Sequence, residues 1–385
     1  MGHQDTKLTS MRPRLKELND NPYLIMTDRK YRIVGLDILR VGLTLLIFMF
    51  HSHIHLLHCS YGIFDDFVNM GAIAMTGFFM LSGYSIQISS GSKDMTNTVE
   101  IKQFFTKRLI AILPLYYVYA ILNITYNILQ KGQTAVIEEI VLFPIEFLSI
   151  QSFFSGLFPY SHNGGSWFIS CILFCYLIYP LIQLLTKNIT DKQRLWIITT
   201  FSFILLYGAI IVQKFKLEWI YDNPLFRCQE FIIGVLICQV NSKQETDLRI
   251  FKTFRKSTAC VLTVAIMIIG ITIASRLNIR RDYMLYSWIS LPCFISLLIS
   301  LGHIKFGQLQ NSNLLGFLSS ISFSFYLSQI MFLWIITKKI TELFCCDSNL
   351  LKVAVSFVLC FMTAIIIHKL IEIPSSKLLK QKYLK

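Results

Sequence analysis

Charged residues are scarce in this chain of 385 residues. They make up 15% of the sequence, whereas hydrophobic residues make up 54%, and the mean hydropathy is +0.56. A soluble domain typically contains about 25% charged and 45–50% apolar residues. The shortage of charge therefore excludes a soluble enzyme, a disordered chain and a small secreted domain held together by disulfides.

The sequence also lacks a metal-binding cysteine pattern, although it contains 10 cysteines. No CxxC pair occurs, and most of the cysteines lie inside long apolar stretches, where thiols behave as small apolar side chains. We therefore predict no metal site. No internal repeat is present, which disfavours transporters built from inverted repeats. Because no soluble catalytic segment accompanies the apolar body, we expect any chemistry to take place within it.

What the sequence contains instead is a series of long apolar spans. They have the length of about 18–25 residues that lets a helix cross a bilayer. We predict an all-α polytopic membrane protein, with about ten transmembrane helices around a central polar cavity. The predicted spans are roughly 33–58, 66–88, 109–129, 166–186, 195–213, 224–241, 257–275, 283–303, 315–337 and 350–371.

The net charge of +14 indicates membrane topology rather than a nucleic-acid partner. Most Lys and Arg residues fall in the segments on the side of the N-terminus, which is the positive-inside pattern. We therefore expect both termini to be cytoplasmic, although three arginines between the seventh and eighth spans lie on the other side. The predicted organisation is a basic N-terminal tail at 1–32, a transmembrane domain at 33–375 and a C-terminal tail at 376–385.

A stripe of polar residues follows one face of the first span. Its members are Asp37, Arg40, Thr44, His51, His55 and His58. Arg40 and His51 are eleven residues apart, which is about three helical turns and about 16 Å along the axis. An arginine within a span costs about 2.5–3.5 kcal/mol to insert, so we expect the stripe to face the protein interior or a cavity.

Three interpretations of this stripe are open. In the first, Asp37 and Arg40 form an ion pair near the membrane interface and the histidines anchor the helix there. In the second, His51, His55 and His58 bind zinc, although no nearby carboxylate or cysteine completes the ligand set. In the third, a neutral histidine acts as general base toward a hydroxyl. The buried arginine would then bind a phosphate or stabilise an oxyanion.

Seven motifs in a fixed order resemble the acyltransferase 3 family of integral-membrane acyltransferases, over about 33–375. They are Leu36-Asp37-Ile38-Leu39-Arg40 with His51, Phe78 to Tyr84, Lys107-Arg108 before Pro114, Ser166-Trp167-Phe168 with Tyr179-Pro180, Arg227 with Glu230-Phe231 and Gly234, Ser322 to Leu327, and Glu372 with Pro374. Two positions depart from the family pattern. Ala111 stands where an arginine is usual, and Gln329 stands where a histidine is usual.

The resemblance implies a membrane-bound O-acyltransferase. It would transfer an acyl group, most often acetyl, from acyl-CoA to a hydroxyl of a cell-surface polysaccharide or lipid-linked glycan. The catalytic residues would be His51 as general base, Arg40, and Asp37, which orients Arg40. Arg40, Lys107 and Arg108 would hold the CoA portion of acetyl-CoA or another acyl-CoA. The residues expected to bind substrate are Ser82, Tyr84, Trp167 and Gln329. Family analogy places the chain in the inner (cytoplasmic) membrane, in contact with membrane lipids.

Two other functions fit a buried polar stripe. One is a proton-coupled transporter or flippase for a surface-glycan precursor, with the stripe as its path. The other is an assembly subunit of a surface-polymer machine, with the stripe serving helix packing. Local explanations are also open: Ser82 and Gly83 fit a small-residue helix contact, and Arg227 and Glu230 fit a pair that neutralises itself.

Overall fold

The described part of the chain is helical. The computed structural model describes residues 32–55, 60–154, 156, 165–217, 220–243, 248–277, 286–331, 339–340 and 348–384. Within these ranges no β-strand occurs, and the prediction of an all-α polytopic membrane protein is confirmed. The N-terminal tail predicted at 1–32 lies outside the described residues, apart from Arg32.

The helices are numbered along the chain. They are α1 Val34–His55, α2 Asp65–Asn69, α3 Ala74–Ser90, α4 Thr98–Lys131, α5 Gln133–Phe147, α6 Ser166–Thr186, α7 Asp191–Phe215, α8 Pro224–Asn241, α9 Arg249–Phe254, α10 Ser257–Arg276, α11 Ser287–Leu301, α12 Asn313–Met331, α13 Asn349–Ile367 and α14 Ile373–Tyr383. A π-helical turn, His368–Glu372, joins α13 to α14. Most of the segment predicted as a C-terminal tail therefore continues the last helix.

Among the described residues, 7 helical segments are long and apolar enough to cross a membrane. They are Val34–His55, Gly71–Ser90, Thr98–Lys131, Ser166–Thr186, Asp191–Val212, Ser257–Arg276 and Asn349–Tyr383. These segments coincide with seven of the ten predicted spans. The other three predicted spans coincide with α8, α11 and α12, of which α11 is apolar but shorter.

Local capping chemistry marks where several helices begin. The side chain of Asn97 accepts a hydrogen bond from the backbone N–H of Val99 at the start of α4. Thr190 and Gln193 form a capping box at the start of α7. Such caps satisfy backbone donors that a helix leaves unpaired at its first turn. They fix the register in which the following apolar side chains meet neighbouring helices.

The backbones of α3 and α8 are in close contact. A Cβ atom added to Gly83 would lie 2.0 Å from the carbonyl oxygen of Phe231, and one added to Gly234 would lie 1.9 Å from that of Met80. Membrane helices approach each other this closely only where small residues face each other. This arrangement matches the small-residue interpretation of Gly83.

Helices α1 and α12 lie side by side and run in the same direction. Arg40 contacts Ser319, and His51, further along α1, contacts Gln329, further along α12. We call the end of the bundle at which α1 begins the proximal end, and the opposite end the distal end. The two polar halves of the α1 stripe therefore lie near different ends of the bundle.

Helices α3 and α6 run together in the opposite direction, from distal to proximal. The Ser82 hydroxyl contacts the Tyr176 hydroxyl, and the Gln183 side chain donates to the Ser90 carbonyl. On α1, Phe50 near the distal end lies against Gly71, just before α3. Residues early in α3 and α6 therefore lie near the distal end of the bundle, and residues late in these helices lie near the proximal end.

Candidate functional site

A cavity of about 260 Å³ lies between α1, α3, α4, α6 and α12. Its polar lining residues are Arg40, Ser82, Ser85, Arg108, Tyr176 and Ser322. Its remaining lining residues are apolar or aromatic and include Met75, Phe78, Ala111, Phe168 and Tyr326. Because α3 and α6 run from distal to proximal, the polar groups gather at the proximal end of the cavity and the aromatic rings at its distal end.

Arg40 is held at the polar end of this cavity by α1 and α12 together. Its Nη1 atom donates to the Ser319 hydroxyl at 2.8 Å and lies 3.5 Å from a carboxylate oxygen of Asp37. Asp37 also accepts from Ser319 at 2.5 Å and pairs with Arg32. The side chain of Arg40 is 33% exposed. In the described part of the chain, both side-chain hydrogen bonds of Arg40 use Nη1, which leaves other guanidinium N–H groups for a ligand.

Tyr176 is the main lining residue that sequence reasoning missed. Its hydroxyl lies 3.2 Å from the Ser82 hydroxyl, and it interacts electrostatically with the guanidinium groups of Arg40 and Arg108. A signal was available, because Tyr176 follows Phe168 by eight residues and shares its helix face. Which neighbours that face meets could not be predicted from one sequence.

Two further lining groups have unused hydrogen-bonding capacity. Within the described residues, the Ser85 hydroxyl and the Nε atom of Arg108 are buried and have no hydrogen-bond partner. Arg108 also donates from Nη2 to the Ser89 hydroxyl at 2.6 Å. Burying an unpaired polar group is costly. These groups are therefore suited to a polar ligand that enters the proximal end of the cavity.

His51 lies on the same side of α1 as Arg40 but outside the cavity lining. Its Nδ1 atom is 2.8 Å from the Oε1 atom of Gln329. An amide oxygen can only accept, so Nδ1 carries the hydrogen and Nε2 keeps a lone pair. The ring of Tyr326, which lines the distal end of the cavity, has its centre 6.5 Å from that of His51. His51 therefore lies beside Tyr326, next to the distal end of the cavity.

Gln329 has a second feature of chemical interest. It is fully buried, and its Nε2 atom has no hydrogen-bond partner among the residues that the structure describes. The same side chain thus holds the His51 ring with one atom and presents an unused N–H donor with the other.

Lys107 lies at the proximal end outside the cavity. Its side chain is exposed, and its charge acts on Lys93 in the turn before α4. The pKa of Lys93 is lowered, first by partial burial and then by the positive charges of Lys107 and Arg108. These three residues form a basic cluster beside the polar end of the cavity.

Tyr84 and Trp167 lie outside the cavity lining. The hydroxyl of Tyr84 accepts a hydrogen bond from Asn241 at 3.0 Å, which ties α3 to α8. The Trp167 ring packs against Tyr221 and lies over the guanidinium of Arg227, with 5.5 Å between the charge and the ring centre. In the described structure both residues therefore join helices.

Arg227 is the centre of a second polar cluster, in which it bonds to Glu230 and to the backbone. Its Nη1 atom donates to both carboxylate oxygens of Glu230, at 2.9 and 3.1 Å, and its Nε atom donates to the Tyr221 carbonyl at 2.6 Å. Thr76 donates to Glu230 at 2.8 Å. The side chains of Arg227 and Glu230 are 1% and 2% exposed. The interpretation of these residues as a self-neutralising pair matches this geometry.

Among the described residues, no group of three or more His, Cys, Asp or Glu side chains is placed to hold a metal ion. His51 and His55 are neighbours, with ring centres 5.9 Å apart. His58, the third histidine of the zinc interpretation, lies outside the described residues.

A family model described as an acyltransferase domain matches residues 33–369. The matched range begins just before α1 and ends in the π-helical turn, so it includes all the residues that line the cavity. No curated protein and no solved structure matches the chain.

Proposed function

Because the chain belongs to the acyltransferase 3 family, whose domain covers nearly its whole length, we propose that it is a membrane-bound O-acyltransferase specific for acyl-CoA. The group transferred is acetyl in the first instance, and the acceptor is a hydroxyl of a cell-surface polysaccharide or lipid-linked glycan. One observation carries this proposal: the cavity has a basic, hydroxyl-rich proximal end and an aromatic distal end that adjoins His51.

The proximal end fits the CoA portion of the donor. Arg40 and Arg108 line the cavity there, and Lys93 and Lys107 lie beside its entrance. Arginine and lysine bind phosphates through charge-assisted hydrogen bonds. A cavity of about 260 Å³ is smaller than the pockets of about 300–1,000 Å³ that enclose a drug-sized ligand. It therefore takes only the pantetheine arm and the acyl group, while the nucleotide stays at the basic cluster.

The distal end fits the chemistry of transfer. The hydroxyl of the acceptor gives its proton to Nε2 of His51, and its oxygen attacks the thioester carbonyl to form a tetrahedral intermediate. When the carbon–sulfur bond breaks, the imidazolium returns the proton to the thiolate. The products are the glycan ester and free CoA.

The separation of Arg40 and His51 divides their roles. A distance of about 16 Å along α1 means that Arg40 cannot stabilise the oxyanion at a carbonyl served by His51. Arg40 therefore holds the donor, and Asp37 orients it. The unused Nε2 donor of Gln329 lies beside His51 and is suited to donate a hydrogen bond to the oxygen of the acceptor hydroxyl.

The proposed topology places the proximal end in the cytoplasm, with both chain termini, and the distal end on the opposite face of the inner membrane. The positive-inside pattern supports this orientation. Donor and acceptor then reach the distal end of the cavity from opposite sides of the membrane.

A transfer assay tests the function. The purified chain in lipid nanodiscs is supplied with radiolabelled acetyl-CoA and with surface glycans isolated from the organism that encodes it. We expect label on the glycan, a loss of about 100-fold or more with His51→Ala, and normal transfer with the matched variant His53→Ala.

Other outcomes identify other functions. Glycan flux into proteoliposomes that follows a pH gradient without consuming acyl-CoA would identify a transporter or flippase. Normal function in cells with both Arg40→Ala and His51→Ala would identify an assembly subunit.

A further inference from the structure

The cavity changes from polar to apolar along one face of α6. Tyr176, Ile172 and Phe168 line it at intervals of four residues, which corresponds to about 6 Å per step along the helix. Tyr176 faces the two arginines, whereas Phe168 lies among aromatic rings. A ligand that matches this lining has a polar part and, about 12 Å further along, an apolar end.

Three aromatic rings close the apolar end. The centre of the Phe168 ring lies 6.2 Å from that of Phe78, 5.9 Å from that of Tyr326 and 4.9 Å from that of Phe79. Phe79 is fully buried behind this layer. The hydroxyl of Tyr326 donates to the Gly165 carbonyl at 3.1 Å, directly before α6, which fixes the ring. On its α6 side the cavity therefore ends at packed aromatic rings, while His51 adjoins its α12 side beside Tyr326.

We infer that Phe168, supported by Phe79 and Tyr326, is a specificity-determining residue that stops the acyl chain of the donor and restricts the enzyme to short acyl groups. This inference rests on the proposed acyl-CoA-dependent function and adds a size limit to the same cavity. With the pantetheine arm anchored at Arg40 and Arg108, each added methylene group would have to push into Phe168. Close-packed aromatic side chains resist such insertion.

The test measures donor binding, so it needs no acceptor. Dissociation constants of acetyl-CoA, butyryl-CoA and octanoyl-CoA are determined by calorimetry for the full chain in lipid nanodiscs. The wild-type chain is expected to bind octanoyl-CoA at least about tenfold more weakly than acetyl-CoA, the discrimination typical of a methylene that a pocket cannot accept. Phe168→Ala is expected to shift the ratio of the octanoyl-CoA and acetyl-CoA dissociation constants in favour of octanoyl-CoA by about tenfold or more. Phe168→Leu is expected to shift it by less.

Phe174→Ala is the matched control, because Phe174 is on the same helix, is half-buried and packs on Phe153 outside the cavity. The ratio of its dissociation constants for octanoyl-CoA and acetyl-CoA should equal that of the wild type. This comparison corrects for the partition of long acyl chains into lipid. If Phe168→Ala does not fold, as judged by size-exclusion chromatography, Phe168→Leu decides the question.

The outcomes separate this inference from the proposed function. A wild-type chain that binds no acyl-CoA would overturn both. A wild-type chain that binds acyl-CoA, with the same octanoyl-to-acetyl ratio in the wild type and the Phe168 variants, would overturn the size limit alone.

Discussion

Arg40 and Arg227 have the same sequence setting and opposite structural settings. Each lies in a helix three residues from a carboxylate, Asp37 in one case and Glu230 in the other. The side chain of Arg227 is 1% exposed, while that of Arg40 is 33% exposed and lines a cavity. Charge and spacing therefore do not distinguish a structural arginine from one that can bind a ligand.

The two clusters differ in how many hydrogen-bond or ion-pair partners the carboxylate has besides its arginine. Without Arg227, Glu230 would keep only the hydroxyl of Thr76 as a partner in a fully buried site. Without Arg40, Asp37 would still accept from Ser319 and pair with Arg32. One cluster depends on its arginine for stability, and the other can lose it and stay folded. Substitutions of Arg227 and Arg40 test this distinction, and substitutions of Asp222 and Gln329 examine the surroundings of each cluster.

The largest effect is expected from Arg227→Ala. It leaves Glu230 charged and buried, so the free energy of unfolding should fall by about 3–5 kcal/mol. Thermal unfolding in nanodiscs measures the loss. The double variant Arg227→Leu with Glu230→Leu removes both charges and should recover most of the stability. Equal instability of the double variant would show that the ion pair is not the cause.

Arg40→Ala should have the opposite profile. Acyl transfer should fall by about 100-fold, because a charge-assisted contact to the donor is lost, while the unfolding temperature stays close to that of the wild type. The two measurements are made on one preparation. A large loss of stability would place Arg40 in the same structural class as Arg227.

Asp222 tests the charge balance around Arg227. Burial raises the pKa of this carboxyl to about 6, in the turn before α8. A raised pKa means that the folded protein binds the proton more tightly. The contribution of Asp222 to stability is therefore present below about pH 4 and is lost as the pH rises through about 6.

Asp222→Asn should accordingly stabilise the protein at pH 8 by at most about 3 kcal/mol and leave it unchanged at pH 4. Thermal unfolding at both values measures this. Asp94→Asn is the control. Hydrogen bonds from Thr96 lower the pKa of Asp94, so this substitution should change the stability at pH 8 in the opposite direction. Stabilisation by Asp222→Asn at pH 4 as large as at pH 8 would contradict this account.

The smallest effect is expected at Gln329. Gln329→Leu removes both the acceptor that fixes the His51 ring and the Nε2 donor beside it, and a loss of about 1–1.5 kcal/mol in hydrogen bonding corresponds to about a tenfold lower kcat. Gln329→His supplies a ring nitrogen that can accept the same hydrogen bond and should restore activity. Full activity of Gln329→Leu in a transfer assay would remove Gln329 from the site.

The helices and the face of α1 could be predicted from sequence because both depend on local periodicity. Apolar run length gave the spans, and the spacing of Arg40 and His51 gave the common face on which both now contact α12. The partners could not be predicted, because Ser319 and Tyr176 reach Arg40 through helix pairing over long sequence separations. The aromatic layer at Phe168 was not foreseen for the same reason.

Gln329 shows how a departure from a family pattern can become interpretable. The sequence showed only that an amide replaces the usual histidine. The structure places that amide 2.8 Å from His51, where an acceptor is the property that matters. Trp167 and Tyr84 are different, because both lie outside the cavity lining and their role in binding substrate stays a prediction.

The pairing of α1 with α12 also has a consequence for the synthesis and membrane insertion of the protein. Ser319 follows Arg40 by 279 residues, and a ribosome adding about 5–20 residues per second needs roughly 15–60 s to make them. During that interval Arg40 resides in or beside the translocon without its eventual neighbour, and Asp37, one turn away, is the companion already synthesised. The adjacent carboxylate can thus neutralise the guanidinium during membrane insertion until α12 is synthesised.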